Sequence, residues 1–273
     1  MSPHTLEGGG LRTVAVSGSA SGIGLALRSQ LEANSIRVIG IDLRNAEVIA
    51  DLADPNGRKS AVEQVREQSG GVLDGLALCA GVAETDAATM VSVNYFGVIH
   101  LLEGLNGDLA AGTLPSAVVV SSCSLVFGEL FEEVADACLT GDEEHARSAA
   151  TRAGGFVYPS SKLALARYVR REAAEPRWLG SDIALNVVAP GTIDSPMIAG
   201  QKQRPGFAPS VPALMGRFGT PEEVAGLLAY LVGPLGHFIA AQLLFIDGGA
   251  EGALNRDRVD VLKPRISDSV KRA

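Results

Sequence analysis

What most restricts the fold of this chain is an alternation. Short, almost wholly apolar runs recur along it, each separated from the next by a stretch with helical spacing. "RTVAVSG", "RVIGIDL", "LDGLALCAG", "SAVVVSSCS", "DIALNVVAPG" and "AAQLLFIDGG" have the length and composition of strands buried on both faces. Between them "GLALRSQLEANS", "PNGRKSAVEQVREQS", "MVSVNYFGVIHLLEGLNGDLA", "SSKLALARYVRREAA" and "PEEVAGLLAYLVG" read as helices. Such strands need helices above and below, and right-handed crossovers make them parallel. The expected fold is α/β, a doubly wound parallel sheet in a single domain spanning 1–273.

Three segments break the rhythm. Residues 129–154 are acidic and helix-prone, and they read as a small helical insertion. Residues 193–219 carry the prolines of "RPGFAPSVP" and read as a long substrate loop. The tail after Gly252 is charged. With 47% apolar and 20% charged residues the composition is that of an ordinary globular protein. The net charge of −8, with no basic run, argues against nucleic acid or an anionic membrane as partner. No apolar stretch is long enough to span a bilayer, and no signal peptide is visible. Cys79, Cys123 and Cys138 are an odd number at no metal-like spacing, and the four histidines are scattered. The expectation is a cytoplasmic protein with reduced thiols and no metal site.

"SGSASGIG" (17–24) lies between the first strand and the first helix. Gly18, Gly22 and Gly24 there allow a tight turn, a close approach of backbone to a pyrophosphate, and tight packing of helix on sheet. The helix start adds amide donors and partial positive charge. Asp42, at the end of the second strand, is placed to accept from the adenosine ribose hydroxyls and to repel a 2′-phosphate. Arg44 stands two residues on, but the carboxylate favours NAD over NADP. Asp51 and Leu52 fall at the adenine edge.

Taken in order, "SGSASGIG", "LCAG", "SVNYFG", "VVVSSCS", "YPSSK", "NVVAPGTIDSPM" and "LLFIDGG" resemble the short-chain dehydrogenase/reductase family over about residues 12–250. With the acidic insertion they look most like its bacterial 3α-hydroxysteroid dehydrogenase/carbonyl reductase group. The resemblance implies a Rossmann-type dinucleotide fold and a catalytic set of Asn94, Ser122, Tyr158 and Lys162. It also implies cofactor contacts from Ser21, Ile23, Leu43, Ala80, Gly81, Pro190, Gly191, Ile193 and Ser195. Three departures stand out: Ser17 and Ser195 for the usual threonines, and Leu78-Cys79 for paired asparagines.

In "FVYPSSKLAL" Pro159 is tolerated only in a first helical turn, so the helix starts at Tyr158 and Lys162 stands one turn on, on the same face. A free phenol has a pKa near ~10, and bringing it to ~7 takes about 4 kcal/mol of preferential phenolate stabilisation. A nearby ammonium and a cationic nicotinamide in a low-dielectric cleft are expected to supply it. Ser122, taken over its neighbours Ser121 and Ser124 because the family's serine is second in the pair, would donate to the substrate oxygen. Asn94, a weak helix former in a strong helix, would hold a water between Lys162 and solvent.

The substrate wall is expected to draw on Val126, Phe127, Phe156, Met197, Phe207, Leu214, Met215 and Phe218. These side chains are apolar, so they suit a bulky secondary alcohol or ketone better than a phosphorylated one. A coniferyl-type aromatic alcohol dehydrogenase is the alternative within enzymes, and a non-catalytic NAD(H)-binding regulator the alternative outside them. Helix 221–233 and strand 241–247 are apolar enough to pair across a dyad. The insertion beside helix 160–174 would block a second dyad, so a homodimer is expected.

Overall fold

A computed structural model describes residues 11–203 and 211–256. Seven strands form one sheet: β1 Thr13–Ser17, β2 Arg37–Asp42, β3 Val48–Ile49, β4 Gly75–Leu78, β5 Ser116–Val120, β6 Ala184–Pro190 and β7 Leu243–Ile246. Their order is β3-β2-β1-β4-β5-β6-β7, and every pairing is parallel. The order reverses direction between β1 and β4, which opens a crevice at their carboxyl ends.

The helices are α1 Gly22–Ala33, α2 Pro55–Ser69, α3 Ala87–Val91, α4 Val98–Gly104, α5 Asn106–Ala110 and α6 Ser124–Phe127. They continue with α7 Glu132–Leu139, α8 Glu143–Ala153, α9 Tyr158–Glu172, α10 Pro196–Lys202, α11 Pro221–Val232 and α12 Ala250–Leu254. Side chains alternate across each strand, so the sheet feeds two cores. Ala15, Ile39, Leu76, Val119 and Val187 face α2, α4 and α9, while Val14, Val16, Val38, Ala77 and Val118 face α1 and α11.

The differences from the sequence reading are local. β3 is an unforeseen two-residue edge strand, paired to Ile41 and Asp42. The helix expected over 90–110 is divided: a π-helical turn, Ser92–Gly97, separates α3 from α4 and carries Asn94. The short helix α6 begins at Ser124, inside what read as strand. The acidic segment folds as α7 and α8, packed on each other, on α9 and on α3. Its buried residues are small or apolar: Val134, Ala135, Ala137 and Cys138 on α7, and Ala146, Ala149 and Ala150 on α8. No helix among the described residues is long and apolar enough to cross a membrane.

Candidate active site

A cleft of about 510 Å³ runs along the carboxyl edge of the sheet. At one end is the glycine turn. Gly18 has φ +70, and a Cβ there would stand 2.9 Å from the Ala80 backbone. A Cβ on Gly24 would collide with the Gly18 carbonyl, whereas one on Gly22 meets nothing nearer than 3.8 Å, at Ser195. The first and third glycines therefore close the turn, and the second keeps its cleft side open, as a pyrophosphate requires. Ser21 precedes α1 without a side-chain cap, so its hydroxyl does not compete for the first-turn amides.

Asp42 leaves β2 with one carboxylate oxygen accepting from the Ala20 amide at 3.0 Å and the other from the Leu43 amide at 2.7 Å. Each oxygen keeps a lone pair for a hydroxyl. Leu43, Asp51 and Leu52 line the same end of the cleft, and Arg44 is exposed. Ser17 makes good the missing asparagines: its hydroxyl accepts from the Ala80 amide at 3.2 Å, tying β1 to the turn after β4. Ile23, Ala80, Gly81, Pro190, Gly191, Ile193 and Ser195 all border the cleft. Ile193 is fixed by a β-bridge to Gly219.

At the other end Ser122, Tyr158 and Lys162 converge. Tyr158 starts α9, with Pro159 in its first turn. Lys162 is 3% exposed, and its Nζ donates to the Val120 carbonyl at 3.0 Å and lies 5.7 Å from the Tyr158 ring centroid. The Ser121 hydroxyl donates to the Lys162 carbonyl at 2.8 Å, so it pins α9 to β5. Ser122 Oγ accepts from the Ser124 amide at 3.1 Å. Burial lowers the Lys162 pKa from 10.5 to about 8, against the opposing pull of Cys79.

Burial pushes the Tyr158 phenol up, and the Ser122 hydroxyl works in the opposite direction. The Asn94 side chain is held by its neighbours: its Oδ1 accepts from Val82 N at 2.8 Å, and its Nδ2 donates to Val82 O at 2.9 Å and Ser161 Oγ at 3.3 Å. It clamps the loop after β4, so a relay water would need another of its groups.

The substrate wall is the part least well anticipated. Phe156 lines the cleft and stacks on Tyr158 at 5.7 Å, and Met197 lines it from α10. Val126 and Phe127 pack with Cys123, Val211 and Ala250, and Met215 lies against Gly248. Leu214 is exposed and does not line the cleft among the described residues, nor does Phe218, and Phe207 lies outside those residues. Val82, Ala83, Val93, Thr192, Ile198 and Val211 also line the cleft, none of them singled out from sequence. Val82 and Ala83 lie in the loop that follows β4, at the carboxyl end of a strand, a place that does signal a site.

The fold and the site define a nucleotide-binding α/β enzyme of the oxidoreductase class. A family model described as enoyl-(acyl carrier protein) reductase matches residues 143–251. The chain is 36% identical over 253 residues to a 3α-hydroxysteroid dehydrogenase/carbonyl reductase of Comamonas testosteroni, covering 88% of this chain and 97% of the relative. It is 30% identical to a galactitol 2-dehydrogenase (L-tagatose-forming) of Cereibacter sphaeroides, over 86% and 93% of the two chains. The solved 3α-hydroxysteroid dehydrogenase of Pseudomonas sp. B-0831, complexed with NADH, superposes with a TM-score of 0.84 at 40% identity, covering 90% of this chain and 99% of that one. The chain belongs to the short-chain dehydrogenase/reductase family.

Proposed function

We propose that this protein is an NAD-dependent oxidoreductase interconverting a secondary alcohol and a ketone on a bulky hydrophobic substrate, with a 3α-hydroxysteroid as the best candidate. The observation that carries it is the convergence of Ser122, Tyr158 and Lys162 in one cleft with the glycine turn and Asp42. The dehydrogenases of Comamonas and Pseudomonas support the substrate class and the cofactor.

NAD would be held by the Gly18–Gly24 turn, Asp42, Leu52 and the 190–195 segment, and when bound it supplies or accepts the hydride. The residues of this chain handle the proton. In ketone reduction the Tyr158 hydroxyl, kept protonated by burial, donates to the carbonyl oxygen while Ser122 donates a hydrogen bond to it. In alcohol oxidation the same phenol must first give up its proton, which a cationic neighbour favours. Lys162 is the side chain within reach to stabilise that anion, and Asn94 keeps the Gly81–Val82 backbone in place beside it. Phe156 and Met197 supply apolar surface for a large substrate.

Tyr158→Phe is expected to bind NADH as the wild type does, with turnover at least ~10²-fold lower, the scale of a lost general acid. A panel of hydroxysteroids and coniferyl-type alcohols, followed by absorbance of reduced nicotinamide, separates the two substrate classes. Nucleotide binding without turnover on any alcohol would favour a non-catalytic regulator and sink the reading. The proposal includes a homodimer and a cytoplasmic location. The homodimer is supported by the exposed apolar side chains Tyr230 on α11 and Leu235 and Phe238 between α11 and β7, and the location by three free thiols.

A further inference from the structure

Arg58, on α2, is a cation where water scarcely reaches. It is 3% exposed, and its guanidinium joins three other segments of the chain. Nε donates to the Leu52 carbonyl at 2.6 Å, and Nη2 to the carbonyls of Ala53 at 3.1 Å and Ser92 at 3.2 Å. Nη1 and Nη2 also form a two-pronged pair with the Glu143 carboxylate, at 2.6 and 2.8 Å. Glu143 opens α8, in the acidic insertion, and one turn further along Arg147 donates to Ser92 Oγ at 2.6 Å.

A buried guanidinium is tolerated when a carboxylate offsets the charge and its remaining donors are used, and here both conditions are met. Burial by itself would raise the Glu143 carboxyl. The Arg58 fork and the Ser92 hydroxyl outweigh that and hold it below the ordinary carboxylate range.

What the fork holds is a loop. Asp51 and Leu52 line the end of the cleft that carries Asp42. The loop's backbone is kept in shape by Asp51 Oδ1 accepting from Ala53 N at 2.8 Å, by Arg58, and by close packing on two glycines. A Cβ on Gly97 would stand 3.0 Å from Leu52 Cβ, and one on Gly57 would collide with the Asp51 carbonyl. Free to turn, Arg58 would no longer fix the Leu52 and Ala53 carbonyls, and Glu143 is what stops it turning.

We propose that Glu143 is a positioning residue for the adenosine half of the cleft, acting through Arg58 on Leu52 and Ala53. Through it the helical insertion becomes part of the construction of the nucleotide site. This rests on the nucleotide reading given above.

The test uses the full chain, ADP-ribose as probe, and two variants. Glu143→Gln keeps the shape and removes the charge. Arg58→Lys keeps the charge opposite Glu143 and gives up the fork. Calorimetry should find ADP-ribose bound about fivefold more weakly by each variant, the equivalent of roughly one hydrogen bond. Hydrogen exchange should rise at residues 51–54 and stay unchanged in the Gly18–Gly24 turn. Unchanged ADP-ribose affinity in folded Glu143→Gln overturns the proposal, as does exchange that rises equally in both segments. Should Arg58→Lys fail to fold, the isosteric Glu143→Gln decides alone, by the same two measurements. A wild-type chain that does not bind ADP-ribose overturns the nucleotide reading itself, and the proposal with it.

Discussion

At the scale of single residues, Lys162 carries charge where burial disfavours it. The depression of its pKa from 10.5 to about 8, due first to burial, corresponds to about 3 kcal/mol at ~1.4 kcal/mol per pH unit. Below pH 8 folded and unfolded chains both carry the proton, so the whole penalty is present. Between pH 8 and 10.5 the unfolded chain binds more protons than the folded one, so stability contributed at this site rises with pH, and above 10.5 the penalty is gone. Lys162→Met removes the penalty but leaves the Val120 carbonyl without this donor, at about 1 kcal/mol. The variant is therefore expected to be inactive yet more stable, by about 2 kcal/mol at pH 7 in urea unfolding. That advantage should shrink as pH approaches 10. A variant less stable than wild type at pH 7 would show that the ammonium is better accommodated than its surroundings imply.

At the scale of elements, the turn between β1 and α1 is set by glycines whose reasons differ. Gly24 is the one with no room: a Cβ would strike the Gly18 carbonyl, and Gly18 itself has φ +70 and the Ala80 backbone against it. Gly24→Ala must push α1 away from the turn. The expected result is about 1–3 kcal/mol lower stability by urea midpoint, the usual scale of overpacking, together with loss of ADP-ribose binding. Wild-type values for both would mean that the turn yields without strain. The π-helical turn Ser92–Gly97 is a second device of this scale, since it carries the Asn94 clamp on Val82. Nothing in its residues announces the wider turn, and the sequence reads there as continuous helix.

At the scale of the whole molecule, one sheet face packs on α1 and α11 and the other on α2, α4 and α9, while β7 remains a parallel edge. Beside that edge Phe238 is fully exposed and Leu235 65% exposed. An apolar edge of this kind is normally covered, and the proposed dyad would cover it. Phe238→Glu is expected to shift sedimentation from dimer to monomer. A wild-type tetramer would end the idea that α7, packed on α9, blocks the second dyad. Six of the seven strands, the bounds of α2 at Pro55–Ser69, the start of α9 at Tyr158 and the place of the glycine turn between β1 and α1 were all readable beforehand. Each follows from rules acting over a few neighbouring residues: strand hydrophobicity, proline in a first turn, glycine where a Cβ cannot fit. The rest was decided by partners far along the chain. Ser17 meets Ala80, Asn94 meets Val82 and Ser161, Arg58 meets Glu143, and Val126 and Phe127 pack with Cys123, Val211 and Ala250. Residue type and spacing determined which groups were available for chemistry. Only packing chose their partners, because a side chain's hydrogen bonds and burial depend on what the folded sheet and its helices bring within a few ångströms of it.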